Sequence, residues 1–222
     1  MSIFRRSQGL PIGAGAGSGG GQSNISHVYS NGSNAPNVGV GLSGNASNGD
    51  LMVGGGCYTF DSSVVTIGTQ MLQPAVGGLI EAVSLNGNPG VVSNGAFAYK
   101  YADEGSSELW TGWTNAGSMT CGIYRGCHPT IPILAMSWNC GNGNNVIYNP
   151  ISHNNSKAWV VAFCRLHNDV QAAPTLLTPR TAAARRYQWD SDGAMSNYPG
   201  ETIEATGSAS HWITCVFAIA SS

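Results

Sequence analysis

From Asn48 to Ser222 the chain is a succession of short apolar runs divided by glycine, asparagine, serine and proline. This punctuation constrains the fold more than any other feature. Runs so short span a sheet but do not build a helical bundle, and turn residues at this density reverse the chain repeatedly. Residues 51–60 open the series after the turn Asn48-Gly49-Asp50. Residues 96–101 alternate, with Phe97, Tyr99 and Tyr101 on one face and Ala96, Ala98 and Lys100 on the other. Residues 109–113, 119–124 and 131–136 follow. Residues 159–166 are apolar almost throughout, as in a central strand covered on both faces. Weaker runs at 182–189 and 202–205 precede a strong one at 212–220; residues 182–186 alone admit a helical turn. Stretches 85–95 and 140–145 read as hairpin-like connections. The pattern predicts an all-β protein, an antiparallel β-sandwich of jelly-roll-like type.

Residues 1–47 read differently, as an extended, irregular N-terminal arm ahead of a sandwich domain at 48–222. Residues 13–21 are almost pure Gly, Ala and Ser, with too little side chain to bury and much backbone entropy to lose. Apolar residues are scattered thinly from there to Asn48. Such a segment is either a disordered linker or an arm that orders along a partner. Ile3, Phe4, Leu10 and Ile12, with Arg5 and Arg6, concentrate at the far tip and favour the second, with these six as the anchor.

Charged residues are 9% of the chain, against roughly 25% in ordinary domains. Glycine, at 31 of 222, stands in their place together with Ser, Asn and Thr. A surface of this kind gains little from charge repulsion and suits contact with other protein, although a secreted protein with a neutral polar coat shares the composition. Nine Lys+Arg, a net charge of −2 and a pI near 6.2 argue against a nucleic-acid partner, which needs a basic field. The only local basic concentrations, Arg5-Arg6 and Arg180 with Arg185 and Arg186, read as solvated faces or protein contacts. No stretch approaches the roughly 20 apolar residues of a membrane helix. The opening residues lack the apolar region of a secretory signal.

Motifs for chemistry are scarce. The six cysteines form no Cys-x-x-Cys pair, and no histidine stands at zinc-ligand spacing from them. Most read as free thiols; Cys121 and Cys127 bracket a tight segment and are the candidate disulfide. No Gly-x-Ser-x-Gly elbow occurs. Cys127 and His128 are neighbours, which a strand sends to opposite faces. Asp190-Ser191-Asp192-Gly193 has the oxygen density of a calcium loop's opening but lacks the later ligands. Asp103, Glu104 and Glu108 sit in what reads as a solvated turn. No metal, cofactor or catalytic residue is expected. Six tryptophans, at 110, 113, 138, 159, 189 and 212, are the better lead, either as core or as a platform for sugar rings.

Four stretches carry a resemblance. Gly49-Asp50-Leu51 is a strand start. Tyr99-Lys100-Tyr101-Ala102, then Glu104 and residues 108–113, is a hairpin with an acidic turn and an aromatic second strand. Gly122-Ile123-Tyr124-Arg125-Gly126 precedes Pro129-Thr130-Ile131-Pro132. Two strong strands lie near 158–166 and 211–220. In these the chain resembles a β-sandwich family of tailed-phage virion proteins, over roughly residues 48–220. It departs from the family at Gly54-Gly55-Gly56, where apolar residues are usual, and in its number of cysteines. The glycines imply a bulge or a close backbone approach in the first strand. The resemblance implies a non-enzymatic capsid decoration protein of the virion, assembled in the host cytoplasm, whose partners are the major capsid protein and copies of itself. A tail or fibre module that binds host glycan is the alternative, and a polysaccharide hydrolase a more distant one. Tyr124, Arg125 and Gly126 carry a structural turn in this reading, with Gly126 at positive φ and Arg125 holding the turn through carbonyls or a carboxylate.

Overall fold

The computed structural model describes residues 24–33, 40–41, 44–59, 66–67, 78–86, 92–103, 109–110, 113–114, 118–166, 173–183, 186–205 and 210–222. The predicted anchors Ile3, Phe4, Arg5, Arg6, Leu10 and Ile12 lie outside these residues, as do Glu104, Glu108 and Arg185. Among the described residues every regular element is a strand, and the protein is an antiparallel β-sandwich.

The first sheet contains β1 (Ser26–Ser33), β3 (Leu51–Thr59), β5 (Gly78–Asn86), β6 (Val92–Tyr101) and β9 (Ser118–Arg125), in the order β1-β9-β3-β6-β5. Two short pairs accompany it: β2 (Val40–Gly41) with β7 (Leu109–Trp110), and β4 (Thr66–Ile67) with β8 (Trp113–Thr114). The second sheet contains β10 (Ile133–Gly143), β13 (Trp159–Leu166), β14 (Thr178–Ala183), β15 (Arg186–Asp190) and β18 (Ser210–Ile219), in the order β10-β18-β13-β15-β14. The sheets stack strand on strand. β1 lies against β14, β9 against β15, β3 against β13, β6 against β18 and β5 against β10. The chain completes the first sheet before it begins the second, rather than alternating between sheets as a jelly roll does.

Alternation explains the core between the sheets. Leu51 and Val53 of β3, and Phe97 and Tyr101 of β6, meet Val161 and Phe163 of β13 and Ile213, Cys215 and Phe217 of β18. Phe97, Phe163 and Phe217 form a cluster with ring centroids 5.5 to 6.4 Å apart. The other face of β13 is buried as well. Val160, Ala162, Cys164 and Leu166 pack with Tyr187, Trp189 and Trp212 under a covering layer. That layer contains β11 (Asn145–Tyr148) paired with β17 (Glu201–Glu204), and β12 (Ile151–Ser152) paired with β16 (Asn197–Tyr198). Residues 159–166 therefore read correctly as a strand covered on both sides. Along β10, an edge strand of its sheet, Asn149 Nδ2 donates to the Trp138 carbonyl (2.9 Å), and the Cys140 amide donates to Asn139 Oδ1 (2.9 Å). Side-chain amides thus occupy backbone groups on an edge that would otherwise invite another strand.

Three expectations need correction. The arm drawn over residues 1–47 includes β1, which is a strand of the sandwich paired with β9. An edge strand needs only backbone pairing and one half-buried face, so a Ser/Asn/Gly-rich sequence suffices. In the run 109–113 the described residues belong to two short strands, β7 and β8, outside the two large sheets. Residues 182–186 form no helical turn where described: Ala182 and Ala183 are in β14 and Arg186 is in β15.

Gly54-Gly55-Gly56 keeps a regular register with both neighbouring strands, so it marks a close approach and not a bulge. A Cβ at Gly54 would overlap the Thr120 carbonyl oxygen and crowd Cys121 Cα. Backbone atoms cannot rotate aside. Gly54→Val is expected to destabilise the fold by about 1–3 kcal/mol, the range for overpacking. Urea unfolding should show a lower midpoint at an unchanged slope.

Candidate functional site

Among the described residues, the most heavily built polar site lies where β9 ends. Strand alternation sends Tyr124 inward and Arg125 outward, and Gly126 ends the strand.

Tyr124 is fully buried, and its hydroxyl donates to Asp190 Oδ2 (3.1 Å) and accepts from Gln188 Nε2 (3.0 Å), both from β15. Space for the Gln188 amide comes from Gly122, where a Cβ would collide with it. Asp190 is itself fully buried and receives a two-pronged guanidinium. Arg180 Nε donates to Oδ2 (2.8 Å) and Nη2 to Oδ1 (2.8 Å), while the Asp192 amide donates to Oδ1 (2.9 Å). A register shift in β14 between Pro179 and Thr181 sets Arg180 out of the regular pairing, and the same guanidinium also reaches Asp192. Burial, then the Asp190 charge, hold the Tyr124 phenol well above its ordinary range. The hydrogen bonds it donates to Asp190 hold the Arg180 guanidinium above its own, against the opposing effect of burial. Gln188 Oε1 is buried without a hydrogen-bond partner. His27 of β1 completes the cluster, its ring 5.6 Å from Tyr124 at 64° and its Nε2 2.7 Å from Ser30 Oγ.

On the outer side, Arg125 Nε donates to Asp50 Oδ1 (2.9 Å) and Nη2 to Asp50 Oδ2 (2.7 Å) and Ser47 Oγ (3.0 Å). Asp50 is buried, and its Oδ2 also accepts from the Ser47 amide (2.9 Å). Its backbone carbonyl accepts from the Ala102 amide (2.8 Å), and the Gly49 amide donates to the Ala102 carbonyl (2.8 Å). Gly126 has φ +76, and a Cβ there would overlap the Asn24 carbonyl. The Tyr101 hydroxyl donates to the His128 carbonyl. Gly49-Asp50-Leu51, Tyr101-Ala102 and Tyr124-Arg125-Gly126, far apart in sequence, are therefore one joint. The carboxylate that Arg125 engages is Asp50.

Elsewhere the sequence sites separate. Cys121 and Cys127 are not bridged to each other; both are buried, and their thiols face different carbonyls, Gly122 O (3.6 Å) and Tyr124 O (3.9 Å). The strand carries Cys121 away from the turn at roughly 3.3 Å per residue, too far for a disulfide. Burial pushes the Cys127 thiol up to about 12 and the Cys140 thiol up to about 11, so neither is a thiolate nucleophile at neutral pH. His128 Nδ1 accepts from the Ile131 amide (3.1 Å) and serves its own turn. Asp190 and Asp192 are bound by Arg180, and no group of three or more His, Cys, Asp or Glu positioned to hold a metal occurs among the described residues. Asp103 is exposed. Trp159, Trp189 and Trp212 are buried, and Trp138 packs partly buried on the inner core. Sequence reasoning missed Arg180, Gln188 and Asp190 as a unit. The alternation of Tyr187 and Trp189 with Gln188 and Asp190 was the available signal.

No protein-family model, curated protein or solved structure matches the chain.

Chemically, the corner is a fastening. The Asp190 oxygens accept four hydrogen bonds from groups of the same chain, which leaves little capacity for proton transfer to anything else. Removing one partner of a buried pair strands the other charge and costs about 3–5 kcal/mol. Arg180→Met is expected to lower stability on that scale in urea unfolding. Adding Asp190→Leu to Arg180→Met should recover part of the loss, because the stranded carboxylate is gone.

Proposed function

We propose that this chain is a structural protein of a tailed-phage virion, a decoration protein that binds the assembled capsid shell through its N-terminal residues and stabilises it. The observation that carries the reading is how the chain enters the sandwich. Ile25 is buried in the inner core, and the Asn24 amide donates to Ser221 Oγ (3.1 Å). Gly126 packs on Asn24, and the Ser222 amide donates to the Gly126 carbonyl (2.9 Å). The chain leading from residues 1–23 is thus fixed to a corner tied into both sheets, so a pull on it is spread over the whole sandwich.

The composition supports the same reading. A neutral polar surface suits lateral contact with protein, and a ligand that binds only the assembled shell stabilises it by linkage. Contacts repeated by symmetry then add through multivalency. The partners in this reading are the major capsid protein and copies of this chain. The tryptophans whose side chains are described pack against cores, so the glycan-binding alternative draws no support from them.

The test is cosedimentation with shells that lack the protein. A chain beginning at Asn24 is the right comparison, because one beginning at Asn48 also loses β1 and confounds binding with folding. Full-length protein is expected to bind stoichiometrically, and the shortened chain to fold but remain in the supernatant. Binding by neither sinks the decoration reading. Equal binding by both moves the contact from the N-terminal residues to the sandwich.

A further inference from the structure

β1 joins the N-terminal residues to the sandwich, and among the described residues its strand pairing is with β9 alone. His27 is its titratable side chain on the inner face. The register shift between His27 and Tyr29 keeps His27 opposite Tyr124 while Tyr29 stands opposite Ile123. The ring meets Tyr124 edge-on, and Nε2 lies 2.7 Å from Ser30 Oγ. From these contacts we infer that His27 is a proton-sensitive clamp, which fastens β1 to the sandwich while neutral and releases it when protonated.

The charged and titratable groups facing the ring come from each packed element: Tyr124 of β9, Arg180 of β14, Asp190 of β15 and Asp192 just beyond it. Arg180 already holds both oxygens of Asp190, and Tyr124 and the Asp192 amide complete that carboxylate's contacts. An imidazolium here finds the buried carboxylate occupied and a guanidinium as its neighbour. Burial is the largest effect, and Arg180 adds to it. Together they outweigh the pull of Asp190, Asp192 and a Tyr29 backbone hydrogen bond, and hold His27 below its ordinary 6.5. In the released strand the ring returns to that ordinary value. The clamp is therefore at full strength above about pH 6.5 and weakens as pH falls below it. The cost falls on β1 because the ring belongs to it and it is an edge strand; β9 and β15 are held on both sides, and β14, the other edge here, is fastened to β15 by Arg180 and Asp190.

Hydrogen exchange on the full chain tests this, with intrinsic rates corrected for pH. Between pH 7.5 and 5.0 the protection of amides in residues 26–33 is expected to fall about tenfold for each pH unit by which the ring is held below 6.5. Protection in β3, β6 and β13 should hold steady. His27→Gln keeps a polar partner for Ser30 and cannot titrate, and His27→Phe keeps a ring on Tyr124. Whichever variant retains β1 at pH 7.5 should lose the pH dependence. His153, the other described histidine lowered by burial, sits in the covering layer against the Met195 carbonyl, so its protonation acts away from β1. A pH-independent β1 in the natural chain overturns the inference. So does the same fall in both variants, or a His27 ring that titrates by NMR at or above 6.5.

Discussion

Three consecutive residues at the end of β9 hold the structure in three directions. Tyr124 reaches inward to Asp190 and Gln188 of the second sheet. Arg125 reaches outward to Asp50 at the start of β3. Gly126 closes backward on Asn24 and accepts from Ser222, where the chain enters and leaves the sandwich. The period of two along a strand lets neighbouring side chains serve opposite faces, and a left-handed glycine then lets the backbone turn without a clash. Apolar packing between the sheets is largely non-directional. The hydrogen bonds of Tyr124 with Asp190 and Gln188 cross from one sheet to the other, while the bidentate contacts of Arg180 on Asp190 and of Arg125 on Asp50 hold neighbouring segments within each sheet in a geometry that admits little sliding.

The use of charge in this chain is economical. It has nine Lys+Arg and eleven Asp+Glu, and five of these, Asp50, Arg125, Arg180, Asp190 and Asp192, meet at or beside this corner. Another, Glu201, anchors the connection into β14, accepting from the Thr175 amide (2.7 Å) and hydroxyl (2.8 Å) and from the Tyr198 hydroxyl (3.2 Å). These six charges serve joints between segments. A buried network of this kind contributes specificity when satisfied and is costly when broken.

Much of the sandwich was legible in the sequence. Phe97, Tyr99 and Tyr101 share a face because strict alternation admits no other arrangement, and residues 159–166 were apolar on both faces because both faces are covered. Gly126 was legible from the demands of the turn. Two things were hidden. β1 was mistaken for arm because an edge strand rich in Ser, Asn and Gly lacks an apolar rhythm; its hold comes from backbone pairing, Ile25 and His27. Asp190 stands in a segment that reads as the incomplete opening of a calcium loop, and Arg180 in a basic group that reads as a solvated face or a protein contact. Polar residues alternating with aromatics ordinarily signify a solvent face, yet in β15 the aromatic face lies under the covering layer and the polar face lies between the sheets. Only the partner Arg180, brought in by an irregularity of β14, makes that orientation tolerable.

The central claim is that Tyr124, Asp190 and Arg180 act as one unit across the two sheets. The most direct measurement is a double-mutant cycle of Tyr124→Phe and Arg180→Met, read by urea unfolding of each single variant, the pair and the natural chain. Both side chains meet on the same carboxylate, so the account predicts a coupling energy of about 0.5–3 kcal/mol. Strictly additive losses would mean that the two contacts are independent, and would contradict the claim that this corner fastens the sandwich as a unit.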